Sequence, residues 1–261
     1  MNTADGPLVV VDRCVLSFRR VEEIVGANAQ FVLTDAFFYE AATASPEAEG
    51  PKFNGWASRY ADRLFLSTHW SEVSQQETQP GRCVNPRFIV REESTGFREA
   101  ARTGDLDWSS FQGEEYDKDV EGREGYITQF EQLCSGFARQ VQEAFPDWKQ
   151  RAGSLETQHL TIRQPEFIAS FVQEHNETKR GPQWHAALSV FPDRHAAGRW
   201  ARLSAWYALQ YSLGLTKDFR NNYHDAEYAF AASYVGRLAT LDKRLIATIE
   251  AVFPDVQILT A

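Results

Sequence analysis

The fold is decided by the stretch Pro7-Leu8-Val9-Val10-Val11-Asp12, a short apolar run rich in β-branched residues that ends at a carboxylate. Such a run is typical of a strand buried on both faces of a parallel sheet. Working outward, residues 21–27 are predicted to form a short helix and residues 31–34 a second strand. Asp35 is the predicted N-cap of a helix that carries Glu40. This alternation predicts the opening of a doubly wound α/β fold.

The same alternation returns in the last part of the chain. We predict a long helix over residues 195–213, a helix capped by Asp225, a strand over 236–242, a helix over 243–253 and a final strand over 256–259. The strand over 236–242 again ends at a carboxylate, Asp242. We therefore expect residues 1–44 and 193–261 to form one α/β core.

The middle of the chain, residues 45–192, is predicted to be a mostly α-helical insertion without a strand. Apolar residues recur at three- and four-residue spacing over residues 126–149, which indicates a helix that faces a core. Further helices are predicted over residues 57–66, 86–101 and 165–178. Residues 104–125 are rich in acidic side chains and are predicted to be a solvated loop.

Composition bounds the class of protein. The chain has 261 residues, 43% of them hydrophobic and 24% charged, as in an ordinary soluble globular protein. Its net charge of −9 argues against a broadly basic nucleic-acid coat protein, but not against a nucleic-acid enzyme, because metal ions can reverse the local sign of charge. Cys14, Cys83 and Cys134 form neither a disulfide framework nor a zinc pattern. With no signal peptide or bilayer-spanning run, a cytoplasmic location without membrane contact is expected.

Four carboxylates are predicted to meet at one edge of the sheet. Asp12 and Asp242 follow strands, and ligands of open parallel sheets bind beyond the carboxyl ends of strands. Glu40 and Asp225 lie on helices that adjoin those strands. Converging acids repel unless hard cations neutralise them, and carboxylate oxygens suit Mg²⁺ or Mn²⁺. For Asp225 and for Asp242, a role as a helix cap only is left open.

Two stretches of the last part, Asn222–Ala232 and Leu238–Leu245, resemble the C-terminal half of PIN-domain nucleases. That family has an Asp that opens a helix, followed by a strand that ends in Thr-x-Asp. Residues 9–12 resemble its first strand and first acid, and residues 34–40 its second strand and helical glutamate. The resemblance covers residues 7–44 and 193–260, and it implies a three-layer, Rossmann-like parallel sheet.

The resemblance implies metal-dependent hydrolysis of phosphodiester bonds. Asp12, Glu40, Asp225 and Asp242 would be the catalytic, metal-holding residues, and water activated by Mg²⁺ or Mn²⁺ would attack the phosphate. Thr240 would support a ligand by a hydrogen bond. RNA is expected as the substrate rather than DNA, although single-stranded DNA is left open, and a homodimer is the default expectation. Where the family often has Asn or Ser two residues after the first acid, this chain has Cys14, which indicates an altered metal preference.

Basic residues near the predicted site are candidates for nucleic-acid binding. For each of them a plain solvated surface position is left open, as is a role of Tyr223 and His224 in stacking on a base. The candidates are Arg13, Arg194, Arg199, Arg202 and Arg220.

Two further functions remain open at this point. Cys14 and the large insertion are compatible with an interaction or regulatory module that keeps the fold but catalyses weakly. Alternatively, the chain is a toxin-like nuclease restrained by a partner protein, with the insertion or the aromatic helix as the docking surface.

Overall fold

The computed structural model describes residues 6–17, 21–44, 46–77, 94–104, 106, 114–144, 146–151, 154–175, 190 and 192–260. In that part of the chain, five parallel strands form one sheet in the order β3-β2-β1-β4-β5. The strands are β1 (Leu8–Val11), β2 (Gln30–Leu33), β3 (Leu64–Leu66), β4 (Arg237–Ala239) and β5 (Gln257–Leu259). The α/β class with a parallel sheet is thus confirmed.

The helices follow the predicted alternation at both ends of the chain. In order they are α1 (Val21–Val25), α2 (Asp35–Ala44), α3 (Pro46–Arg59), α4 (Trp70–Gln75), α5 (Ser94–Thr103), α6 (Glu114–Ala144), α7 (Trp148–Arg151), α8 (Leu155–Arg163), α9 (Pro165–His175), α10 (Ala196–Ser212), α11 (Phe219–Val235) and α12 (Lys243–Val252). Short 3₁₀ segments lie at Arg13–Ser17, Ala61–Arg63 and Pro192–Arg194. Among the described residues, no helix is long and apolar enough to cross a membrane.

Strand β3 corrects the prediction that residues 45–192 lack a strand. Leu64 is fully buried, and β3 pairs with β2 in the register Phe31↔Leu64. The predicted helix over 57–66 is wrong because α3 ends at Arg59 and a 3₁₀ turn leads into the strand. A strand of three residues is too short to give a period that distinguishes it from a helix.

Helix α6 is longer than predicted. It spans 31 residues and begins at Glu114, so the second half of the expected acidic loop over 104–125 is helical. A run of charged residues indicates contact with solvent, and a solvent-facing helix provides that contact as well as a loop does. The helix packs against α10 and α11, which joins the middle of the chain to the core. Residues 86–93 of another predicted helix, and Cys83, lie outside the described residues.

Helix α11 begins earlier than predicted, so Asp225 is not its cap. Asp218 is the N-cap, and its side chain accepts a hydrogen bond from the backbone N–H of Asn221. Asp225 therefore lies two turns inside the helix, where it is 7% exposed. The helix ends at Gly236, whose φ of 81° is a left-handed conformation that glycine adopts without strain and that turns the chain into β4.

The core lies between the sheet and the helices beside it. Phe31 of β2 packs against Trp56 and Tyr60, with ring centroids 5.3 and 5.2 Å apart, so α3 and the residue after it cover that strand. Helix α11 contacts β1 and β4, and it also contacts α12 and α10. The central strand β1 is consequently enclosed, with Val9, Val10 and Val11 fully buried.

Candidate metal and nuclease site

The strand order places a switch point between β1 and β4. From β1 the chain runs to β2 on one side, and from β4 it runs to β5 on the other. Connections that diverge in this way leave a crevice at the carboxyl ends of the two strands. Asp12 directly follows β1, and its backbone N–H donates to the carbonyl of Ala239 at 3.0 Å. Thr240 follows β4, so both predicted strand ends reach this crevice.

Asp12 is held by hydrogen bonds from both strand ends. Its Oδ2 accepts from the Thr240 hydroxyl at 2.5 Å and from the Cys14 thiol at 2.9 Å. Its Oδ1 accepts from the Cys14 backbone N–H at 3.2 Å. Burial raises the pKa of the Asp12 carboxyl above its ordinary value, although these hydrogen bonds oppose the shift. Thr240 thus contacts a predicted metal-holding residue directly, through its hydrogen bond to Asp12.

Asp225 is in an unfavourable environment for a negative charge, because it is buried beside other acids. Its Oδ2 is buried and has no hydrogen-bond partner within the described structure. Burial raises the pKa of Asp225 well above its ordinary value, and the negative charges of Asp242, Asp12 and Glu40 raise it further. A buried carboxylate without a partner is costly, so this oxygen has a strong need for a cation or a donor.

Glu40 lies on α2 and faces positive and polar groups. Its Oε2 accepts from the Tyr228 hydroxyl at 2.8 Å and is 4.0 Å from Arg13 Nε. Its Oε1 is 3.6 Å from Nδ1 of His224. With 24% of its side chain exposed, Glu40 forms the solvent-facing side of the crevice.

Asp242 serves as the N-cap of α12, as one sequence interpretation allowed. Its Oδ1 accepts from the backbone N–H groups of Arg244 and Leu245 at 2.7 and 3.3 Å. Its own N–H donates to the Thr240 hydroxyl at 3.0 Å, so one hydroxyl joins Asp242 to Asp12. Asp242 also acts electrostatically on Asp225, which places it at the same edge of the sheet.

We call Asp12, Glu40, Asp225 and Asp242 the four-carboxylate site. Each of the other three raises the pKa of Asp225, so their charges act on one another. Within the described ranges, no three His, Cys, Asp or Glu side chains are grouped closely enough to hold a metal ion as they stand. The donor chemistry nevertheless fits Mg²⁺ or Mn²⁺, because all four groups offer hard oxygen ligands and one buried oxygen lacks a partner.

Cys14 acts as a neutral thiol in this arrangement. Its sulfur donates to Asp12 and accepts from the Leu241 backbone N–H at 3.3 Å. Burial, together with the charge of Asp12, raises the pKa of the Cys14 thiol to about 12. The thiol therefore orients the first acid by hydrogen bonding.

Arg13 and Arg220 are the predicted basic residues that lie beside the four-carboxylate site. Arg13 faces Glu40, as described above, and 35% of its side chain is exposed. Arg220 forms a two-pronged ion pair with Glu124 of α6 and also contacts the Tyr39 hydroxyl. Arg194 is exposed on the 3₁₀ segment that precedes α10.

Arg199 and Arg202 lie elsewhere and have structural partners. Arg199 donates to the carbonyls of Asp193 and Ser233, the latter in the last turn of α11 before β4 begins. Arg202 binds the Asp193 carboxylate at 2.8 Å and reaches the carbonyl of Val252 at the end of α12. Both positions are near the start of the strands, on the opposite side of the sheet from the carboxyl ends, so the five basic candidates do not form one surface beside the site.

Tyr223 and His224 are too buried to stack on a base. They are 1% and 2% exposed, and Tyr223 packs edge-on against Trp200 with ring centroids 5.7 Å apart. His224 lies edge-on to Tyr39 at 5.1 Å. Their placement inside α11, rather than before it, turns them towards the protein interior.

A buried ion-pair cluster next to the site was absent from the sequence analysis. Glu227 of α11 pairs with Arg123 of α6, and its Oε1 accepts from His69 Nε2 at 3.0 Å. Burial alone would raise the pKa of Glu227, but the charge of Arg123 and the hydrogen bond from His69 outweigh it and lower that pKa. Arg123 and Glu227 are 104 residues apart, and no sequence spacing connects them.

The cluster borders a small cavity at the ends of β2 and β3. Thr34, Asp35, Ser67, His69 and Glu227 contribute to its lining. A volume of about 10 Å³ gives it the room of one ordered water molecule. The cavity is thus too small to bind a nucleotide.

Comparison with known proteins gives no assignment: no protein-family model, no curated protein and no solved structure matches this chain. Any function must therefore be argued from the residues themselves.

Proposed function

We propose that this chain is a metal-dependent nuclease with a PIN-like, three-layer fold that hydrolyses phosphodiester bonds. The observation that carries the proposal is the buried, unpartnered oxygen of Asp225, which faces three further acids at the switch point of a parallel sheet. An arrangement that costs stability in this way is typical of a functional site. Its acid spacing matches the resemblance noted in the sequence.

Asp12, Glu40, Asp225 and Asp242 are the residues that would hold Mg²⁺ or Mn²⁺. The chemistry that such a cation supplies is activation of water and stabilisation of charge on the leaving oxygen. Thr240 and Cys14 keep Asp12 oriented through their hydrogen bonds to its carboxylate. Tyr228 orients Glu40 in the same manner.

The proposed substrate is a nucleic acid, with RNA rather than DNA expected from the resemblance. Arg13 beside Glu40, and Arg220 in the first turn of α11, are the basic groups that would contact its phosphates. Neither Cys14 nor Cys134 forms a disulfide bond, which supports the proposed cytoplasmic location. Homodimer formation and control by a partner protein belong to the same proposal.

A cleavage assay tests this function. Fluorescent single-stranded RNA, single-stranded DNA and duplexes are incubated with Mg²⁺, with Mn²⁺ and with chelator. We expect metal-dependent cleavage that Asp12→Asn and Asp225→Asn abolish. Asp255→Asn is the matched control, because this exposed acid precedes β5 at the opposite edge of the sheet. Equal cleavage by wild type and both site variants would refute the proposal.

A second candidate, a binding module with little catalysis, is favoured by one observation. One carboxylate oxygen of Asp242 is occupied in capping α12. Among the described side chains, no three potential metal ligands are grouped closely enough to hold a cation. Calorimetric titration with Mn²⁺ separates the two functions. Binding that depends on Asp12 and Asp225 supports the nuclease, whereas its absence, together with inactivity on every substrate, favours the module.

A further inference from the structure

His224 carries the least satisfied polar side chain near the four-carboxylate site. The imidazole is 2% exposed, and neither Nδ1 nor Nε2 has a hydrogen-bond partner among the described residues. A buried polar atom without a partner destabilises the folded protein. A group with two such atoms calls for an explanation in terms of a bound water, ion or ligand.

The surroundings of the ring direct attention to Glu40. The Tyr39 and Tyr223 rings pack edge-on against the imidazole, with centroids 5.1 and 6.4 Å away. Nδ1 lies 3.6 Å from Glu40 Oε1, which is too long for a hydrogen bond. The other oxygen of Glu40 is already bound to Tyr228. Glu40 Oε1, an acceptor, therefore lies near His224 Nδ1, which has no hydrogen-bond partner.

The next residue in the chain, Asp225, has the second unsatisfied group. Its Oδ2 is buried without a partner, and the charge of Glu40 acts on it. Two consecutive residues of α11 thus carry an orphaned nitrogen, which lies 3.6 Å from Glu40, and an orphaned oxygen, whose carboxyl group is under the influence of the Glu40 charge. A nitrogen cannot be satisfied by a carboxylate unless a proton or a metal ion lies between them.

We propose that His224 is a nitrogen ligand of the cation held by the four-carboxylate site, and that the site consequently binds Mn²⁺ in preference to Mg²⁺. The inference rests on the proposed metal site and adds a ligand to it. Imidazole suits transition metals, whereas Mg²⁺ prefers oxygen ligands and keeps its waters. Other charged groups close to this corner are Arg13, Arg123, Arg220 and Glu124, and neither a protonated guanidinium nor a carboxylate offers a competing nitrogen ligand.

Pulsed electron paramagnetic resonance of the Mn²⁺-loaded wild-type protein tests the proposal without relying on activity. A coordinated imidazole gives ¹⁴N modulation of the spin echo. Protein grown with ¹⁵N-labelled histidine must lose the ¹⁴N pattern. This arm needs no variant, so it is valid even where a substitution would prevent folding.

Variants then assign the nitrogen. His224→Asn, which keeps an acceptor near the place of Nδ1, is expected to abolish the modulation and to weaken Mn²⁺ binding about tenfold or more, with a smaller effect on Mg²⁺. His159→Gln is the matched control, because His159 lies on α8 against Trp206, away from the site. Its Mn²⁺ affinity and modulation are expected to equal those of wild type.

The outcomes separate this inference from the function on which it rests. Mn²⁺ binding that depends on Asp225 but shows no ¹⁴N modulation overturns the role of His224 and leaves the metal site intact. Modulation that persists in His224→Asn overturns it as well. No Mn²⁺ binding by the wild-type protein overturns both the ligand and the metal site.

Discussion

The hydroxyl of Thr240 donates a 2.5 Å hydrogen bond to Oδ2 of Asp12 across 228 residues of sequence. The same hydroxyl accepts from the backbone N–H of Asp242, so one side chain joins the ends of β1 and β4. Thr240 is fully buried, and loss of its hydroxyl would leave Asp12 with the Cys14 groups as its remaining partners. The Thr240 hydroxyl therefore couples the position of the Asp12 carboxylate to the end of β4 and to Asp242.

We expect Asp225→Asn to stabilise the metal-free protein. The raised pKa of Asp225 means that stability contributed by its protonated form is present below the unfolded pKa and is lost as the pH rises through the folded pKa. Asn removes that loss. At neutral pH the free energy of unfolding should rise by about 1–3 kcal/mol, within the usual range for a single substitution, because the neutral amide removes the repulsion from Asp242, Asp12 and Glu40.

Urea denaturation in chelator at several pH values measures this effect. The gain should shrink as the pH falls towards the ordinary carboxyl pKa, and Asp255→Asn should show no gain at any pH. Addition of Mn²⁺ should reverse the order of stability, because a ligand stabilises only the protein that binds it. A less stable Asp225→Asn protein at neutral pH without metal would contradict the electrostatic argument.

The Arg123–Glu227 pair is expected to fix α6 to the core. Arg123→Ala leaves Glu227 buried without its main counter-charge, and we expect a loss of about 3–5 kcal/mol in the free energy of unfolding. The double variant Arg123→Met with Glu227→Leu should recover much of that loss, because no charge remains buried. The exposed pair of Arg102 and Asp62 supplies the control, since its removal should leave stability essentially unchanged.

The basic residues should separate into two classes. Arg13→Gln removes a charge beside Glu40 and should weaken nucleic-acid binding and lower the salt dependence by about one unit of slope. Arg199→Gln should leave the nucleic-acid affinity of the folded protein unchanged. It should instead lower the free energy of unfolding by about 1–3 kcal/mol, because the carbonyls of Asp193 and Ser233 lose their hydrogen-bond donor. Fluorescence anisotropy at several salt concentrations, with thermal unfolding in parallel, measures both effects. Equal losses of affinity would place both arginines at the substrate.

The Cys14 thiol should resist alkylation in the native state. Burial and the neighbouring charge of Asp12 raise its pKa to about 12, so the reactive thiolate is scarce at neutral pH. Iodoacetamide labelling followed by mass spectrometry, in native buffer and in urea, measures its protection. Cys134, fully buried in α6, is a second protected thiol for comparison. Rapid native labelling of Cys14 would contradict the hydrogen bond to Asp12.

The sequence predicts the parts of this structure that local patterns encode. The valine run of β1 is typical of a buried strand, β4 and β5 were expected on either side of the helix pattern of α12, and four of the five strands were expected close to their observed positions. From that alternation, and from the carboxylates that follow two of the strands, Asp12 and Asp242 were expected at one edge of the sheet. A supporting role of Thr240 was implied by the family resemblance alone.

Other features depend on contacts that no local pattern records. Strand β3 is recognisable by its pairing with β2, because Leu64-Phe65-Leu66 alone fits a helix equally well. Asp225 was expected at a helix start because Asp is a favoured N-cap residue, but Asp218 supplies an earlier cap. The Arg123–Glu227 pair joins helices that are distant in sequence, so it required the tertiary structure.

The central position of β1 has a consequence for how the nascent chain reaches this structure. One edge of β1 can pair with β2 early, but its other edge stays open until β4, whose partner contact lies 228 residues later, has left the ribosome. At common synthesis rates this delay is on the order of ten to fifty seconds. Throughout that time a bare, valine-rich strand edge is available to other chains. Protection by chaperones during translation, rather than the stability of the finished fold, would then limit the yield of protein.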